Sequence, residues 1–298
     1  MRVAIIDVGS NTARLLVANV TGKGAVVPVA EERDYLRLGA EIERTGTLSR
    51  KKIAAAAATC GAYADQIAEL GVERASVIVT APGRQGAAAP ELKAALADAT
   101  SLPVRVLTAE SEGRLAYDGA VSRAPGNLPE IVAVVDVGGG STEVVVGTPF
   151  LGAAWVRSAD VGSLRLTRAQ LTDDPPLAAQ IRAASDAVAA ALSGMSPPRP
   201  SLALAVGGSA RALTKIVGRR FDADDLERAV RILSRRPAAK AARPFGIAPE
   251  RAETLLAGAL LLAGASRVLG TGFELGSGGL REGAALELAR ARDAVRAA

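Results

Sequence analysis

The sequence predicts an α/β protein with two similar domains that face each other across a cleft. The chain has 298 residues, about twice the length of a common domain of roughly 150 residues. Residues 7–14 (DVGSNTAR) match residues 136–143 (DVGGGSTE) in Asp, Val and Gly, at a constant offset of 129 residues. Each copy lies between two apolar runs and is followed by alternating strand and helix patterns, which indicates a duplication.

In the first half, residues 3–20 predict a strand, a tight loop and a second strand, and a third strand is expected around 25–31. Ser49 is the expected N-cap of a long helix that ends at Leu70, just before Gly71. The remaining elements are a strand at 75–80, a helix near 90–99, a strand at 104–107 and a helix near 109–121.

Residues 122–130 contain Pro, Gly and Asn and predict a linker. The domains are therefore expected at 1–124 and 125–298, with a last helix that could pack back on the first domain. After the linker, residues 131–147 again predict strand, loop and strand, and a third strand is expected near 152–158. The predicted elements that follow are helices, then a strand at 202–206 and helices over most of 210–269. A Gly-rich turn and a helix over about 280–297 come last.

The amino-acid composition limits the kinds of binding surface, acid–base group and metal ligand that the protein can have. Hydrophobic residues make up 49% and charged residues 22%, which is typical of a packed globular protein. Aromatic residues are only 3%, which argues against a base-stacking nucleic-acid surface. The absence of histidine excludes histidine bases and ligands, so acid–base chemistry requires carboxylates. Oxygen ligands favour Mg²⁺ or a similar hard cation.

The single cysteine, Cys60, permits no intramolecular disulfide and is expected to be inert packing in an alanine-rich helix. No apolar run is long enough for a secretion signal or a membrane span, so we expect a cytoplasmic protein without membrane or nucleic-acid partners. The net charge of +5 favours polyanionic ligands. Residues 211–243 hold ten Lys or Arg against four acids. This segment could be an anion-binding track with Arg231, Arg235, Arg236, Lys240 and Arg243, or simply a solvated helix face.

Two glycine-containing loops are the strongest candidate sites. In the first, Gly9 allows close approach of an anion, and the N–H groups and hydroxyls of Ser10, Asn11 and Thr12 could bind phosphate; an ordinary hairpin turn is the alternative. In the second loop, three successive glycines followed by small hydroxyls are more than a turn needs. Its residues are Gly138, Gly139, Gly140, Ser141 and Thr142, with a structural bulge as the alternative.

The carboxylates of Asp136 and Glu143 frame the second loop and could hold Mg²⁺. The residue aligned with Glu143 in the first half is Arg14, which could bind phosphate or could be a surface strand residue. The third glycine turn, with Gly208 and Ser209, leads from a strand into a helix and could bind another phosphate.

Two further segments carry candidate residues. Glu110 and Glu112 begin a helix, where a carboxylate could be a general base or could simply offset the helix dipole. Arg84 is a candidate phosphate clamp.

Taken together, these motifs resemble the Ppx/GppA family of exopolyphosphatases and guanosine pentaphosphate phosphohydrolases, within the superfamily of actin-like ATPases and sugar kinases. The motifs that carry this resemblance occur in the same order as in the family and extend along nearly the whole chain. They are DVGSNTARLLV, the turn at Arg84, LTAESEGRL, DVGGGSTEVVVG, AVGGSARAL and FELGSGGLREGAAL. The resemblance implies two ribonuclease H-like (actin-like ATPase) domains in a short form without the family's C-terminal helical domain.

The resemblance also implies residue roles. Glu112 corresponds to the catalytic base, and Asp136 and Glu143 correspond to the carboxylates associated with Mg²⁺. The phosphate contacts it implies are Ser10, Asn11, Arg84, Gly139, Gly140, Ser141, Gly208 and Ser209. The implied reaction is hydrolysis of terminal phosphoanhydride bonds.

The substrate and the assembly state stay open at this point. The substrate would be short-chain polyphosphate, guanosine pentaphosphate or both, and a homodimer is left open. Two alternatives are a small-molecule kinase of the same superfamily and a non-catalytic sensor of guanosine polyphosphates. Phosphate release without an acceptor would exclude the kinase, and tight binding without turnover would favour the sensor.

Overall fold

A computed structural model describes residues 1–296 of the chain and the side chains of residues 1–291. The strands are Arg2–Val8 (β1), Thr12–Val20 (β2), Val26–Tyr35 (β3), Arg74–Val79 (β4), Val104–Val106 (β5), Val132–Val137 (β6), Thr142–Thr148 (β7), Gly152–Ala159 (β8), Leu202–Val206 (β9), Arg220–Phe221 (β10) and Phe273–Leu275 (β11).

The helices of the first half are Leu38–Thr45 (α1), Arg50–Glu69 (α2), Ala81–Gln85 (α3), Ala89–Thr100 (α4) and Ala109–Ser122 (α5). Those of the second half are Ser163–Gln170 (α6), Ala178–Leu192 (α7), Gly207–Val217 (α8), Ala223–Ser234 (α9), Ala238–Ala242 (α10), Pro249–Ala252 (α11), Leu255–Leu269 (α12) and Leu280–Arg296 (α13). A 3₁₀ turn, Arg243–Phe245, follows α10. Of the predicted last helix, Ala297 lies outside the described residues.

The chain divides into two compact units. The first contains residues 1–123 and the segment from Gly278 onward, and the second contains residues 124–277. The last helix, α13, therefore belongs to the first unit although it ends the chain. No regular element occupies the stretch between α5 and β6, as its Pro and Gly content predicts.

Each unit contains one sheet, and the two sheets have the same strand order. The first sheet has the order β3-β2-β1-β4-β5, and the second has β8-β7-β6-β9-β11 with β10 added at its edge. In each, the first three strands are antiparallel, and the next two continue in parallel. A bulge lies between Val17 and Ala18 in the first sheet, and between Val146 and Gly147 in the second. Because these bulges differ by the same 129 positions, the duplication extends to a local irregularity.

Each sheet has an apolar core that alternate strand residues supply. In the first unit, one face packs on α2 and α4, and its core includes Ile6, Leu15 and Val77. The opposite face, with Ile5 and Leu16, packs against α13. The second unit forms one large core in which α12 is buried along almost its whole length.

The helices α5 and α13 cross so closely that their backbones touch. A Cβ on Gly119 would lie 1.9 Å from the carbonyl oxygen of Gly279, and one on Gly283 would lie 1.9 Å from that of Leu115. Glycine is required at this crossing because any side chain would need the space that backbone atoms fill. The crossing fixes the start of α13 against the helix that carries Glu112.

Most predicted elements are confirmed, and four short ones were missed. Ser49 caps α2, with its hydroxyl accepting a hydrogen bond from the N–H of Lys52 at 3.3 Å. The helices α1 and α3 and the strands β10 and β11 had no prediction, since each has only two to eight residues. No helix in the described part of the chain is both long and apolar enough to cross a membrane.

The substitution Gly119→Ala is expected to lower the free energy of unfolding by about 1–3 kcal/mol or more, because the new methyl group overlaps backbone atoms of α13. Urea unfolding measures this effect. Gly194→Ala is the matched control, since nothing lies within 4 Å of a Cβ at that position, and it should change stability by less than about 0.5 kcal/mol. Equal midpoints for the two variants would contradict the close crossing.

Candidate active site

The first glycine loop connects β1 and β2, and its carbonyl groups are engaged by the chain that follows β3. The C=O of Asn11 accepts from the N–H groups of Leu36 and Arg37 at 3.1 and 3.0 Å, and that of Ser10 accepts from Gly39 at 2.8 Å. In contrast, the N–H groups of Ser10 and Asn11 donate to no acceptor among the described residues. The loop therefore presents donors, as an anion site requires.

The second glycine loop, between β6 and β7, is held in the same way. The start of α6 donates to its carbonyls: Ser163 to Gly138 at 2.9 Å, and Leu164 to Gly139 at 3.0 Å. Within the described part of the chain, the N–H groups of Gly139 and Gly140 have no acceptor. This loop thus has a second set of donors that an anion could meet, which is what the prediction of a phosphate site requires.

Two carboxylates lie together beside the second loop. Asp136 on β6 and Glu143 on β7 are direct partners in the antiparallel register, so both point to the same sheet face. Glu143 is buried, and one of its oxygens accepts from the hydroxyl of Ser158 at 2.8 Å. The described residues include no group of three or more acidic or cysteine side chains suited to a metal. Two carboxylates nevertheless fit Mg²⁺, which usually keeps several waters and takes further oxygens from a phosphate substrate.

The third glycine turn joins β9 to α8 and borders the same carboxylate. Gly207 has a φ of 84°, and a Cβ there would lie 2.5 Å from Oδ1 of Asp136. The side chain of Ser209 is fully buried and packs against Gly258 of α12. At this predicted phosphate contact the hydroxyl is therefore buried beside α12.

Glu112, the predicted base, lies on α5 and is 7% exposed. One of its oxygens accepts a hydrogen bond from Nη1 of Arg84 at 2.9 Å, and the same nitrogen donates to the C=O of Leu107 at 2.7 Å. This ion pair balances the charge of a buried carboxylate, which would otherwise be costly. Arg84, predicted as a phosphate clamp, thus lies on α3 and orients Glu112.

Glu110, two residues before Glu112, has a different environment. Its side chain is exposed and forms an ion pair with Arg114, four residues later on α5, at 2.9 Å. This is the solvent-facing pair that the helix spacing favours. The structure therefore separates the two glutamates of this helix into a surface residue and a buried one.

A buried charge cluster behind the first loop contains residues that sequence reasoning missed. Asp7 on β1 is the register partner of Arg14 on β2, and its Oδ1 has no hydrogen-bond partner in the described residues. Burial raises the pKa of the Asp7 carboxyl above its usual value, while Arg14 and Arg281 oppose that shift and Glu282 adds to it. The sequence does contain a signal for Asp7, because this residue aligns with Asp136 in the duplicated motif.

Arg281 and Glu282 come from the first turn of α13. The guanidinium of Arg281 donates to the C=O of Leu15 at 3.0 Å and to Glu31 at 2.8 Å. The carboxylate of Glu282 accepts from the N–H of Gly279 at 2.9 Å. Both side chains are buried. They fall in the late segment FELGSGGLREGAAL, which carried the resemblance without assigning any role.

Comparison with known proteins decides the family. The model of the Ppx/GppA phosphatase family matches residues 16–291. The chain belongs to this family. Exopolyphosphatase 2 of Mycobacterium tuberculosis is 34% identical over 191 residues, which cover 61% of this chain and 59% of that relative. Exopolyphosphatase 1 of Mycobacterium leprae is 27% identical over 277 residues, which cover 88% of this chain and 81% of that relative. The chain thus spans about three fifths of the first relative.

Solved structures agree with the family and with its fold of two duplicated α/β domains. The Aquifex aeolicus member of the Ppx/GppA family has 26% identity and a TM-score of 0.83, with 98% of this chain and 99% of that one covered. An exopolyphosphatase from Cytophaga hutchinsonii has 18% identity and a TM-score of 0.85, with 96% and 98% covered. The second likeness concerns the fold alone.

Within each unit, the structure groups the predicted residues. In the first unit, Ser10 and Thr12 are buried at the loop, Asn11 is partly exposed, and Arg14 shares a sheet face with Asp7. In the second unit, the loop 138–141 and the pair of Asp136 and Glu143 adjoin, and Gly207 brings the third turn against Asp136. The roles of these residues stay predictions.

The substitution Asp7→Asn tests the buried charge. The unfolded chain ionises this carboxyl near its ordinary pKa of 3.8. Because the folded pKa is raised, wild-type stability falls as pH rises from that value through the folded pKa. Asn cannot ionise, so the unfolding free energy of the variant minus that of the wild type should increase as pH rises above about 4. Urea titrations measure it, and Asp65→Asn, which removes an exposed carboxylate, is the control for the loss of one acidic side chain. A flat Asp7→Asn difference would refute the shift.

Proposed function

We propose that the protein hydrolyses terminal phosphoanhydride bonds in inorganic polyphosphate, guanosine pentaphosphate or both, with Mg²⁺ as its cofactor. The observation that carries this proposal is the pair of glycine loops, each of which has two backbone N–H groups without an acceptor among the described residues. Such donors bind phosphate oxygens, and phosphoryl transfer depends mainly on positioning and on neutralising charge. The exopolyphosphatases among the relatives support the same reaction class.

Asp136 and Glu143 would hold the Mg²⁺ ion. When bound, the ion would neutralise negative charge on the phosphate oxygens and so favour attack by water. The residues fit this role because their carboxylates share one sheet face and the glycine loop beside them can hold the phosphate. The bond of Ser158 to Glu143 fixes one of the two carboxylates before any ligand binds.

Glu112 would accept the proton of the attacking water. The chain has no histidine, so a carboxylate must take this role. Arg84 acts as a positioning residue, since its bonds to Leu107 and Glu112 hold the carboxylate in one orientation. Glu112 then holds the proton taken from water, the released phosphate carries the new P–O bond from that water, and the bridging oxygen stays on the shortened chain as its new terminus.

Replacement of the base gives a direct test. Glu112→Gln should lower kcat by a factor on the order of 10² to 10⁴, since the amide retains the shape but cannot accept the proton. Glu110→Gln is the matched control on the same helix, because its side chain is exposed and pairs only locally. It should retain wild-type turnover. Near-equal kcat values for wild type and Glu112→Gln would remove Glu112 from the role of base.

The substrate is tested by phosphate release from tripolyphosphate, long-chain polyphosphate and guanosine pentaphosphate, assayed side by side. We expect release with Mg²⁺ and no added acceptor, and loss of release after chelation. Release that depends on a small acceptor and on ATP would indicate a kinase instead. Binding of guanosine pentaphosphate without any release would indicate a sensor. The ratio of kcat/KM values ranks the three substrates.

A further inference from the structure

The second unit carries more positive surface charge than its own acids neutralise. Within residues 211–243, three arginines are engaged with carboxylates: Arg220 with Glu274 at 2.8 Å, Arg228 with Asp225 at 2.8 Å and Arg231 with Glu227 at 3.8 Å. Arg231, one of the residues expected for an anion-binding track, is thus part of an ordinary ion pair between helix neighbours.

Seven other cations of this region form no ion pair among the described residues, and all seven are exposed. One of them, Arg219, lies between α8 and β10. We call the other six the cationic track; they are Arg211, Lys215, Arg235, Arg236, Lys240 and Arg243. Isolated exposed cations are common and need no explanation. Six in one stretch of surface without acidic partners create a local positive potential, which favours a polyanionic ligand.

Helix spacing and hydrogen bonds bring three members of the cationic track close together. Arg211 and Lys215 are four residues apart on α8 and lie on the same side of that helix. The ammonium of Lys215 donates to the C=O of Gly246 at 2.7 Å, and the N–H of Gly246 donates to the C=O of Arg243 at 3.0 Å. These two bonds join the exposed side of α8 to the 3₁₀ turn.

The track continues along α10. Lys240 and Arg243 are three residues apart, and the alanines between them, Ala241 and Ala242, are buried, so the two cations share the exposed side. Arg235 and Arg236 precede this helix. Two acids adjoin it: Asp174 accepts the N–H of Ala238 at 2.6 Å, and Glu250 is exposed on α11. Neither forms an ion pair with a member of the track.

We propose that the cationic track binds the part of an inorganic polyphosphate chain that is not being cleaved. It begins one helical turn from Gly207 and Gly208, where α8 leaves the third glycine turn, and runs over α8 to α10. A polyphosphate chain has one negative charge per phosphate, so each added phosphate can meet another cation. A guanosine tail would offer no such repeat. This inference rests on the proposed function and selects long polyphosphate as its preferred substrate.

The test compares chains of different length. In Lys240→Glu/Arg243→Glu, KM for polyphosphate of about 100 phosphates should rise about tenfold or more, because two attractive contacts become repulsive. KM for tripolyphosphate should change less than about twofold, since so short an anion does not reach α10. The kcat value should be unchanged for both. The slope of log KM against log salt should become shallower, by roughly 0.7 for each lost contact if polyphosphate behaves like single-stranded nucleic acid.

Two controls separate local charge from net charge and from folding. Arg182→Glu/Arg199→Glu changes the net charge by the same amount at exposed positions outside the track, and it should leave the long-chain KM unchanged. Lys240→Arg/Arg243→Lys retains the charge and should behave like wild type. Binding of polyphosphate by the cationic track is refuted if the two charge-reversal variants have the same KM for the long chain. It is also refuted if the KM for tripolyphosphate rises as strongly as that for the long chain.

A binding assay distinguishes failure of the track from failure of the proposed reaction. Labelled long polyphosphate is bound to wild type and to the track variant, with unlabelled RNA of equal charge as a competitor. Length-dependent binding that the variant loses supports the track even if no phosphate is released, in which case the hydrolase proposal fails. Unchanged binding overturns the track. Displacement by RNA at equal concentration would show a general polyanion surface and would also overturn it.

Discussion

Both Asp-Val-Gly loops depend on one hydrogen-bonding constraint, which is that their carbonyl groups must be bonded by a segment distant in sequence. The segment that starts α1 supplies those donors in the first unit, and the start of α6 supplies them in the second. With these carbonyls bonded, two N–H groups of each loop still have no acceptor among the described residues. Buried polar groups without partners are costly, so such a loop is stable only if water or a ligand meets its donors.

The two units share this loop but differ in the charges around it. In the first, Asp7 faces Arg14, and α13 adds Arg281 and Glu282, so the charges largely balance. In the second, the corresponding pair is Asp136 and Glu143, which gives two negative charges on one sheet face. Duplication therefore preserved the backbone geometry while one substituted side chain changed the chemistry of each copy. A cation suits the second site, and a neutral or anionic group suits the first.

Much of the fold could be predicted because its signals are local. The strands around the glycine loops, the cap at Ser49 and the long helices α2 and α5 follow from short patterns. The elements α1, α3, β10 and β11 could not, since segments of two to eight residues form only when tertiary contacts support them. The position of α13 against β1 and β2 depends on contacts between residues more than 200 positions apart, which no sequence period reveals.

In the candidate site, too, local patterns predicted some features, while others depended on tertiary packing. Glycine spacing identified both loops, and the register confirmed that Asp136 and Glu143 lie side by side. Sequence alone predicted a phosphate contact for Arg84 and did not predict the hydrogen bond of its guanidinium to Glu112. It also missed Asp7 and Arg281, because only the packing of α13 shows that their charges are buried together. The sequence also could not show that the side chain of Ser209 is buried in the core.

The close crossing of α5 and α13 has a consequence for synthesis of the chain. The first unit needs Leu280, Ala284 and Leu286 to cover the sheet face that Ile5 and Leu16 form. These residues are synthesised after residues 124–277, so the N-terminal sheet keeps an uncovered apolar face while that uninterrupted unit emerges. Domains usually fold in the order of synthesis. Here the second unit can fold first, and the first unit becomes complete only when α13 has been made.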